Sequence, residues 1–526
     1  MIRRRSQLPS IVAALGFAAM LTISCASPST QAAESEDVGD PVAGGGIEAV
    51  QVSEPRSLDP AALGNVWATQ AMIGNALYGT LMTNDPETLE IDYNMAEAFS
   101  TDDGGATYTM RLRPELMFTD GTPLDAEAVR FNWERMKDPA LGPGASKVSP
   151  QIASMTVIDP VTLQVTMVAP NSHFDQAVVT SALNWIASPT ALRQNRAAFD
   201  DAPVGAGPFT MSSWSRHDRI TMSKNPEYWD APKPYLDSVS FRFIADAAQR
   251  FNAVSTGATD VSSETNPKIV DDADAQNLGT DVVATGGGQY LAMNTRTAPF
   301  DDPRARRAVS MALDLATLNM IVYSDAGEVP NTLFSAESPY YSDIELRHTN
   351  QEEAQALFDE LADEGSPVKF DFTSFSSAEN KLAAEAVQTQ LSVYDNVDIG
   401  VKTLDSTTIQ SVVGNRDFQM VVTSANILDP DTELWVNFHS KSSGNMTGIS
   451  DPELDRALDA GRVGATQEER KNAYDEVQER LVDLVPGVFY IRSTPAMLSG
   501  TGVYGVKLYG LGSPLPEEMW TNQGSN

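Results

Sequence analysis

Cysteine and positive charge are both scarce in this sequence. Cys25 is the only thiol among 526 residues, which excludes a disulfide within the chain and a metal site built on cysteines. The 36 lysines and arginines stand against 71 aspartates and glutamates, so the formal net charge is −35. A nucleic-acid-binding face needs clustered positive charge, and anionic lipid headgroups attract basic segments. We therefore expect no nucleic-acid partner and no tight adsorption of the folded chain to anionic lipid headgroups.

The common catalytic motifs are missing as well. The sequence contains no Gly-x-Ser-x-Gly, His-Glu-x-x-His, P-loop or Cys-x-x-Cys pattern. Asp429, Asp431 and Glu433 have the spacing of part of a calcium loop, but Leu434 stands where such a loop needs glycine. We expect no enzymatic activity, no cofactor and no metal site. The four histidines are far apart in sequence: His173, His217, His348 and His439.

A short apolar run near the N-terminus has the features of a secretory signal. Arginines occupy positions 3 to 5, and the run Ile11–Ile23 is too short for a comfortable membrane span. We predict a signal peptide over residues 1–24. A stretch rich in small residues follows over 25–46, which predicts a flexible tether.

The cysteine directly after this run predicts a lipid anchor. Ser24-Cys25 resembles a bacterial lipobox, in which Cys25 becomes the lipidated first residue. The pattern departs from the usual form because Thr22 stands where leucine is normal. The alternative is an unlipidated secretory signal that is cut near Ala32-Ala33. Either processing predicts an extracytoplasmic protein, and lipidation would hold it at the cell membrane.

The segment Pro203–Asp230, PVGAGPFTMSSWSRHDRITMSKNPEYWD, predicts a β-hairpin. Gly205 and Gly207 predict a tight turn with backbone angles closed to other residues. Apolar and polar residues then alternate over Phe209–Trp214, which is typical of a strand in a sheet with two unlike faces. A polar turn at Arg216–Asp218 separates this strand from a second one.

This hairpin resembles the signature PVGTGPF…W…NPxYW of the family-5 solute-binding proteins, the extracytoplasmic oligopeptide-, dipeptide- and nickel-binding proteins of ABC importers. The resemblance covers the chain from about Ile47 to the C-terminus. Four collinear matches are far more specific than any one of them. Three further stretches agree in family order: Asp102–Pro139, Tyr290–Asp314 and Leu428–Arg462.

The resemblance implies an α/β, two-lobed periplasmic-binding-protein-like fold with a hinge and an inserted α+β subdomain in the first lobe. The local pattern agrees, since Ser238–Ile244, a helix after Asp246 and a strand from Val261 predict a β-α-β unit with a parallel pair. We place the first lobe at 47–82 and 189–289, the subdomain at 83–188, the second lobe at 290–494 and a return to the first lobe at 495–526.

Local patterns also predict individual elements. Ala68–Leu81 reads as a helix with one apolar stripe. Val282–Ala284 and Tyr290–Met293 read as strands on either side of a break at Gly286–Gly288, and the resemblance makes this crossing one hinge strand. Capping residues mark helix starts at Asp125, Asp246, Asp302, Asn350 and Thr466.

A cleft between two lobes is the usual place for a ligand. The resemblance implies cleft-facing groups at the crossing and between residues 426 and 445, with Trp435 and Phe438 as one aromatic wall. The alternative for each is a core aromatic or a capping polar group, and Asp429 before Pro430 also reads as a helix cap. The candidate ligand-binding residues are Trp67, Tyr290, Asn294, Asn426, Asp429, Trp435, Phe438 and Asn445.

Asn426 bears on the choice of solute. Peptide-binding members of the resembled family place an aspartate at this position, where it pairs with the ligand's α-ammonium. An asparagine offers a neutral carbonyl oxygen instead of a charge. The resemblance therefore implies that free-amino peptides are poor ligands, unless Asp429 swings in to replace the missing carboxylate.

Together with the predicted signal and lipobox, the resemblance implies a monomeric, extracytoplasmic substrate-binding lipoprotein of an ABC-type importer. Such a protein captures a peptide or other small solute between its lobes and delivers it to a membrane permease driven by ATPase subunits. One alternative is a surface sensor or chaperone-like module that binds without transport. The other is a secreted hydrolase, which the missing nucleophile motifs disfavour.

Overall fold

A computed structural model describes residues 39–138, 140–142, 148–404, 408 and 412–522. The predicted signal peptide, Cys25 and most of the predicted tether lie outside these residues. From Pro41 onward the chain forms one compact unit. None of the helices in this described part combines the length and the apolar composition needed to cross a membrane.

Helices begin where the capping residues predict them. In helix Gln467–Leu484, Thr466 and Glu469 form a capping box in which each side chain bonds the other's backbone N–H. This arrangement satisfies donors that have no partner within the helix. The capping side chains that accept from the first turn, as predicted, are Asp125, Asp246, Asp302, Asn350 and Thr466.

The first lobe is built on a mixed seven-stranded sheet. Its central strand, Gly46–Gln51, runs parallel to a neighbour on each side. The two strands of the predicted β-α-β unit are these neighbours, so they are parallel but not adjacent, because the N-terminal strand lies between them. The strand order is Gly279–Val282, Ala496–Ser499, Val261–Glu264, Gly46–Gln51, Ser238–Phe243, Arg219–Lys224 and Phe209–Ser215.

A second, antiparallel sheet belongs to the same lobe. One continuous hydrophobic core joins the two sheets and includes the fully buried Trp133 and Trp185. The strand order is Ala96–Ser100, Thr107–Leu112, Thr162–Met167 and Ile152–Asp159. The helices of this lobe are Ala71–Tyr78, Ala126–Arg135, Phe174–Val179, Pro189–Leu192, Arg196–Asp201, Ala247–Ser255 and Pro267–Asp274, with 3-10 turns at Ser149–Gln151 and Ala182–Asn184.

Short two-stranded ladders complete the first lobe. Met82–Asn84 pairs with Ile91–Tyr93 in an antiparallel hairpin. The turn of this hairpin faces the space between the two lobes. Two further ladders lie in the C-terminal segment, where residues after strand Ala496–Ser499 pack on the first-lobe core. They pair Val503–Tyr504 with Trp520–Thr521 and Leu508–Tyr509 with Ser513–Pro514.

The predicted hairpin forms strands Phe209–Ser215 and Arg219–Lys224. The two glycines before it serve close packing and do not provide an unusual turn angle, which corrects the prediction. A Cβ on Gly205 would lie 2.1 Å from the Leu77 carbonyl oxygen, and one on Gly207 would lie 2.5 Å from backbone atoms of the same helix. That helix, Ala71–Tyr78, is shorter than predicted.

The second lobe is built on a five-stranded sheet covered on both faces by hydrophobic clusters. Most residues of its strands Met420–Ile427 and Gly286–Met293 are buried, as expected of a sheet with helices on both sides. The strand order is Val397–Leu404, Val368–Phe375, Met420–Ile427, Gly286–Met293 and Gly487–Ile491. The helices are Pro303–Ala312, Leu315–Tyr323, Gln351–Asp363, Ala378–Leu391, Pro430–Phe438, Pro452–Val463 and Gln467–Leu484.

The predicted break at Gly286–Gly288 is wrong, because the three glycines open strand Gly286–Met293. Gly287 and Gly288 have φ of 65° and 123° and remain paired with the neighbouring strand. A Cβ on Gly287 would lie 2.1 Å from the Ala425 carbonyl oxygen, and one on Gly288 would lie 2.1 Å from that of Ile491. Glycine therefore lets this strand pass close between two neighbouring backbones.

Two neighbouring segments connect the lobes. Residues 283–285 lead from the first sheet into the second, and residues 492–495 lead back. They are hydrogen-bonded to each other, since the Val283 N–H donates to the Pro495 carbonyl and the Thr285 hydroxyl donates to that of Ser493. This pair of crossings is where a hinge between the lobes would lie.

Candidate functional site

A cavity of about 530 Å³ lies between the two lobes, a volume typical of small-ligand sites. The first lobe contributes the hairpin turn that carries Asp85 and Glu87, together with Leu508 from the C-terminal segment. The edge strand that carries Asp281 and the crossing that follows it form part of the wall. The second lobe contributes the loop around Glu337. The remaining lining residues are Pro86, Leu89, Val282, Val283, Ala284, Gly286, Ser335, Ser338, Pro339, Ile427 and Leu428.

A second, much smaller space of about 20 Å³ shares Leu428 with this cavity and also lies between the lobes. Most of its lining residues are polar. Asn426 is at this space, and its side-chain oxygen accepts a hydrogen bond from the Ser493 hydroxyl at 2.5 Å. The structure thus places Asn426 at the cleft, and its contact with a ligand stays a prediction. The other lining residues are Asn84, Gln176, Thr180, Leu428, Asp429, Thr432, Glu433 and Leu511.

Asp429 is committed to protein partners. Its two oxygens accept hydrogen bonds from the Arg470 guanidinium at 2.7 and 2.9 Å, and one oxygen also accepts from the Asp431 N–H at 3.0 Å as the predicted helix cap. Burial opposes ionisation of this carboxyl, but the charge of Arg470 outweighs burial and holds the Asp429 pKa below its usual range. Asp429 is therefore not free to bind a ligand's ammonium.

Direct hydrogen bonds join the lobes beside this space. The Asn171 amide of the first lobe donates to Asp431 Oδ2 of the second lobe at 2.9 Å. Arg462 Nε donates to the other Asp431 oxygen at 2.7 Å, and all three side chains are buried. The Ser172 N–H donates to the Arg462 carbonyl at 3.2 Å, also across the interface. The structure thus shows the lobes closed on each other.

Two titratable groups of the first lobe face this interface. Burial raises the pKa of the Asp175 carboxyl to about 6, and the negative charge of Asp429 acts in the same direction. Burial lowers the pKa of His173, and Arg470 across the interface adds to that effect. The His173 ring lies 3.3 Å from the Gly464 carbonyl oxygen. Lobe contact therefore removes ionisable groups from water.

Trp435 is half-buried against polar and charged neighbours of the second lobe. Its ring stacks on His439 at 4.4 Å between centroids, and Arg462 lies over it at 4.4 Å. Its indole N–H donates to Asp459 at 3.1 Å. Trp435 is not among the residues lining either space, so its predicted role as a ligand wall stays a prediction.

The structure does not bring four other predicted residues to the cleft. Tyr290 and Phe438 pack together inside the second lobe, and the Tyr290 hydroxyl donates to Asn437 at 3.0 Å. The Asn294 amide donates to two backbone carbonyls of the second lobe, and the Asn445 amide donates to three. These bonds use the groups that a ligand would need. Their assignment as ligand contacts stays a prediction.

Trp67 is buried in the first lobe, just before helix Ala71–Tyr78. It is not among the residues that line the cavity or the smaller space. Its predicted role in ligand contact likewise stays a prediction. Of the eight candidates, Asn426 and Asp429 are the two that the structure places at the cleft.

Sequence reasoning missed the acidic residues of the cavity. Asp85 and Glu87 lie on a hairpin turn, Asp281 on an edge strand and Glu337 on a loop, so no local motif joins them. The available signal was the position of Asp281 next to the predicted crossing between lobes. Within the described residues, no group of three or more histidine, cysteine, aspartate or glutamate side chains is arranged to hold a metal ion.

Solved structures of binding proteins share this architecture. The structure of DppA from Helicobacter pylori in complex with the peptide STSA superposes with a TM-score of 0.79 at 23% identity, covering 92% of this chain and 99% of that one. AgaA from A. tumefaciens R10 in complex with agropinic acid also gives 0.79, at 24% identity, covering 91% and 99%. These similarities confirm the predicted α/β, two-lobed periplasmic-binding-protein fold.

Sequence relatives agree with the fold. The glutathione-binding protein GsiB of Shigella flexneri is 29% identical over 328 residues, which is 60% of this chain and 61% of that protein. GsiB of Escherichia coli strain K12 is 28% identical over the same length. The chain thus matches less than two thirds of these relatives.

A family model decides the assignment. The model for bacterial extracellular solute-binding proteins, family 5, matches residues 90–445, which is more than half of the chain. This range includes the inter-lobe cavity residues Asp281 and Glu337 and the interface pair Asn171 and Asp431. The chain therefore belongs to the bacterial extracellular solute-binding proteins of family 5.

Proposed function

We propose that this chain is the solute-binding component of an ABC-type importer and that it catalyses no reaction. Family membership supports the proposal, and relatives with the same fold are named for binding peptides, glutathione or agropinic acid. The observation that carries the proposal is the cavity of about 530 Å³, which both lobes and the crossing between them line. A solute in this cavity contacts both lobes at once.

Closure of the lobes would couple binding to delivery. A ligand shifts a conformational equilibrium only as far as it binds one state better than the other. Because the cavity is complete only when the lobes meet, a solute gains contacts in the closed form. Hydrogen bonds such as the one between Asn171 and Asp431 then add to the ligand's own contacts. The permease and its ATPase subunits would recognise this closed, loaded form.

The site of action that we propose is the extracytoplasmic face of the cell membrane. The predicted lipidation of Cys25 would anchor the chain there, and the following small-residue stretch would let the folded part reach its permease. We expect the protein to act as a monomer, since each chain contains a complete cleft.

Mass spectrometry of solutes released from natively purified protein tests the proposal. We expect a small organic solute at about one per chain, and its re-addition should raise the melting temperature and reduce the radius of gyration. Binding at about 100 times the dissociation constant adds about 2.7 kcal/mol to stability. Failure of every retained or added solute to change melting temperature and radius would contradict the proposal.

A further inference from the structure

The lining of the inter-lobe cavity has charge of only one sign. Asp85, Glu87, Asp281 and Glu337 line it, and its lining residues include no lysine, arginine or histidine. The cavity is the binding site of the proposed function, so this charge acts directly on the solute. The exposed Lys507 interacts electrostatically with Asp85 but is not a lining residue.

Three of these carboxylates have no partner within the part of the chain that the structure describes. Asp85 accepts hydrogen bonds from the N–H groups of its own turn. The side chains of Glu87, Asp281 and Glu337 form no hydrogen bond or ion pair with any residue that the structure describes. They come from different segments of the chain and meet only around the cavity.

Two fully buried carboxylates of this protein show the usual arrangement, a pairing with arginine. Glu264 binds Arg250 at 2.6 Å in the first lobe, and Asp431 binds Arg462 at 2.7 Å at the lobe interface. Asp281 has no such partner, and burial alone raises the pKa of its carboxyl to about 6. The carboxyl is thus mainly ionised at neutral pH and partly removed from water without a counter-charge. A cation that enters the cavity would supply the missing partner.

We propose that the cavity selects solutes that carry an organic cation, an ammonium or a guanidinium group, over neutral and anionic solutes. The inference rests on the proposed solute-binding function and names the class of solute. Glutathione, the ligand in the name of the relatives GsiB, carries two carboxylates and one ammonium at neutral pH. The acidic lining disfavours such a net anion, so this chain differs from those relatives in selectivity.

A panel of solutes matched in shape tests the effect of charge. Three tripeptides, blocked by N-acetylation and C-amidation, have arginine, citrulline or glutamate between two glycines, so that their net charges are +1, 0 and −1. Spermidine adds a cation that is not a peptide, and glutathione adds a natural anion. Isothermal calorimetry with the full folded chain, freed of retained solute, measures each dissociation constant.

We expect the arginine peptide to bind at least about tenfold more tightly than its citrulline twin, and the anions to bind most weakly. Replacing Glu87, Asp281 and Glu337 by their amides should weaken binding of cations by about threefold each and about thirtyfold together, as expected of partly exposed ion pairs. Binding of the neutral twin should not change. Glu479→Gln removes an exposed carboxylate outside the cavity and serves as the control. Added salt should weaken binding of the cation but not of the neutral peptide.

Equal or tighter binding of the neutral or anionic members would overturn the inference, as would a triple variant with unchanged affinity for cations. Absence of binding by every cation up to about 1 mM would overturn it too, because that corresponds to only about 4 kcal/mol of binding free energy. The proposed function is judged separately. A neutral or anionic solute retained by the purified protein leaves that function standing and removes the charge selectivity alone.

Discussion

Asn171 links the two lobes without lining the cavity, so it separates lobe closure from solute contact. Its amide donates to Asp431 Oδ2 across the interface at 2.9 Å. We predict that Asn171→Ala shifts the protein from the closed toward an open form. In the variant this carboxylate oxygen loses its donor from the first lobe, while the other oxygen keeps Arg462.

The size of the effect follows from the burial of Asp431, which is 1% exposed. A hydrogen bond to a charged group contributes about 1.5–3 kcal/mol, and an unsatisfied buried group costs a similar amount. Water can satisfy the same oxygen once the lobes separate, so the cost falls on the closed form alone. At about 1.4 kcal/mol per factor of ten, the closed-to-open ratio should fall by roughly tenfold to hundredfold.

Small-angle scattering and calorimetry measure this shift together. If the free wild-type protein is mainly closed, the radius of gyration of the variant should be larger. If the free wild-type protein is mainly open, the affinity of the variant for the retained solute should fall by the same factor. Gln151→Ala is the matched control, because it removes the other acceptor of the Asn171 amide within the first lobe. Asn171→Asp keeps the oxygen that accepts from the His173 N–H. It should open the protein at least as far as Asn171→Ala, because a carboxylate would then face the Asp431 carboxylate. Unchanged radius and affinity in both Asn171 variants, or an equal effect of Gln151→Ala, would refute the reasoning.

Three further predictions concern stability and anchoring. Burial raises the pKa of Glu517 from 4.5 to about 7, so the stability that its protonated form contributes is complete below about pH 4.5 and lost as pH rises through about 7. Glu517→Gln should therefore stabilise the protein by about 3 kcal/mol at about pH 8 and flatten the pH dependence of urea unfolding; equal pH dependence in both proteins would contradict this. Gly207→Ala should lower the free energy of unfolding by about 2–3 kcal/mol, measured by thermal unfolding, because its Cβ would lie 2.5 Å from the backbone of helix Ala71–Tyr78. Gly414→Ala is the control and should leave the free energy of unfolding nearly unchanged, because the space around its Cβ is open. Cys25→Ser should move the protein from the membrane fraction to the soluble fraction, and a wild-type protein without lipid would disprove the anchor.

Features that depend on neighbours in sequence could be predicted from the sequence. The helix caps and the hairpin after Pro208 follow from short-range chemistry, and the structure has them where the patterns place them. The glycines at 287 and 288 show the limit of this reasoning. Their pattern signals backbone freedom, but the reason for it is the backbone of Ala425 on one side and Ile491 on the other, both distant in sequence.

The site was less predictable for the same reason. Its acidic lining combines positions near 85, 281 and 337, which meet only after both lobes have folded. Aromatic residues near the family's cleft motif were predicted to contact the ligand. Tyr290 and Phe438 instead belong to the core of the second lobe. Burial decides between a ligand wall and a core aromatic, and local sequence does not encode that difference for a residue on a central strand or its covering helix.

The final prediction concerns the N-terminus of a peptide ligand. Asn426 stands where the resemblance places an aspartate in peptide-binding relatives, and its oxygen already accepts a bond from Ser493. Asp429 cannot replace that carboxylate, because both its oxygens bind Arg470 and breaking a buried pair costs about 3–5 kcal/mol. An α-ammonium at this position therefore finds no free negative charge, and N-acetylation of Gly-Arg-Gly-amide should weaken binding by less than about tenfold. Calorimetry with the peptide and its acetylated twin measures the difference, and Asn426→Asp should increase it. A loss of about hundredfold or more in the wild-type protein would show that a carboxylate does reach the ammonium, and the reasoning from Asn426 would fail.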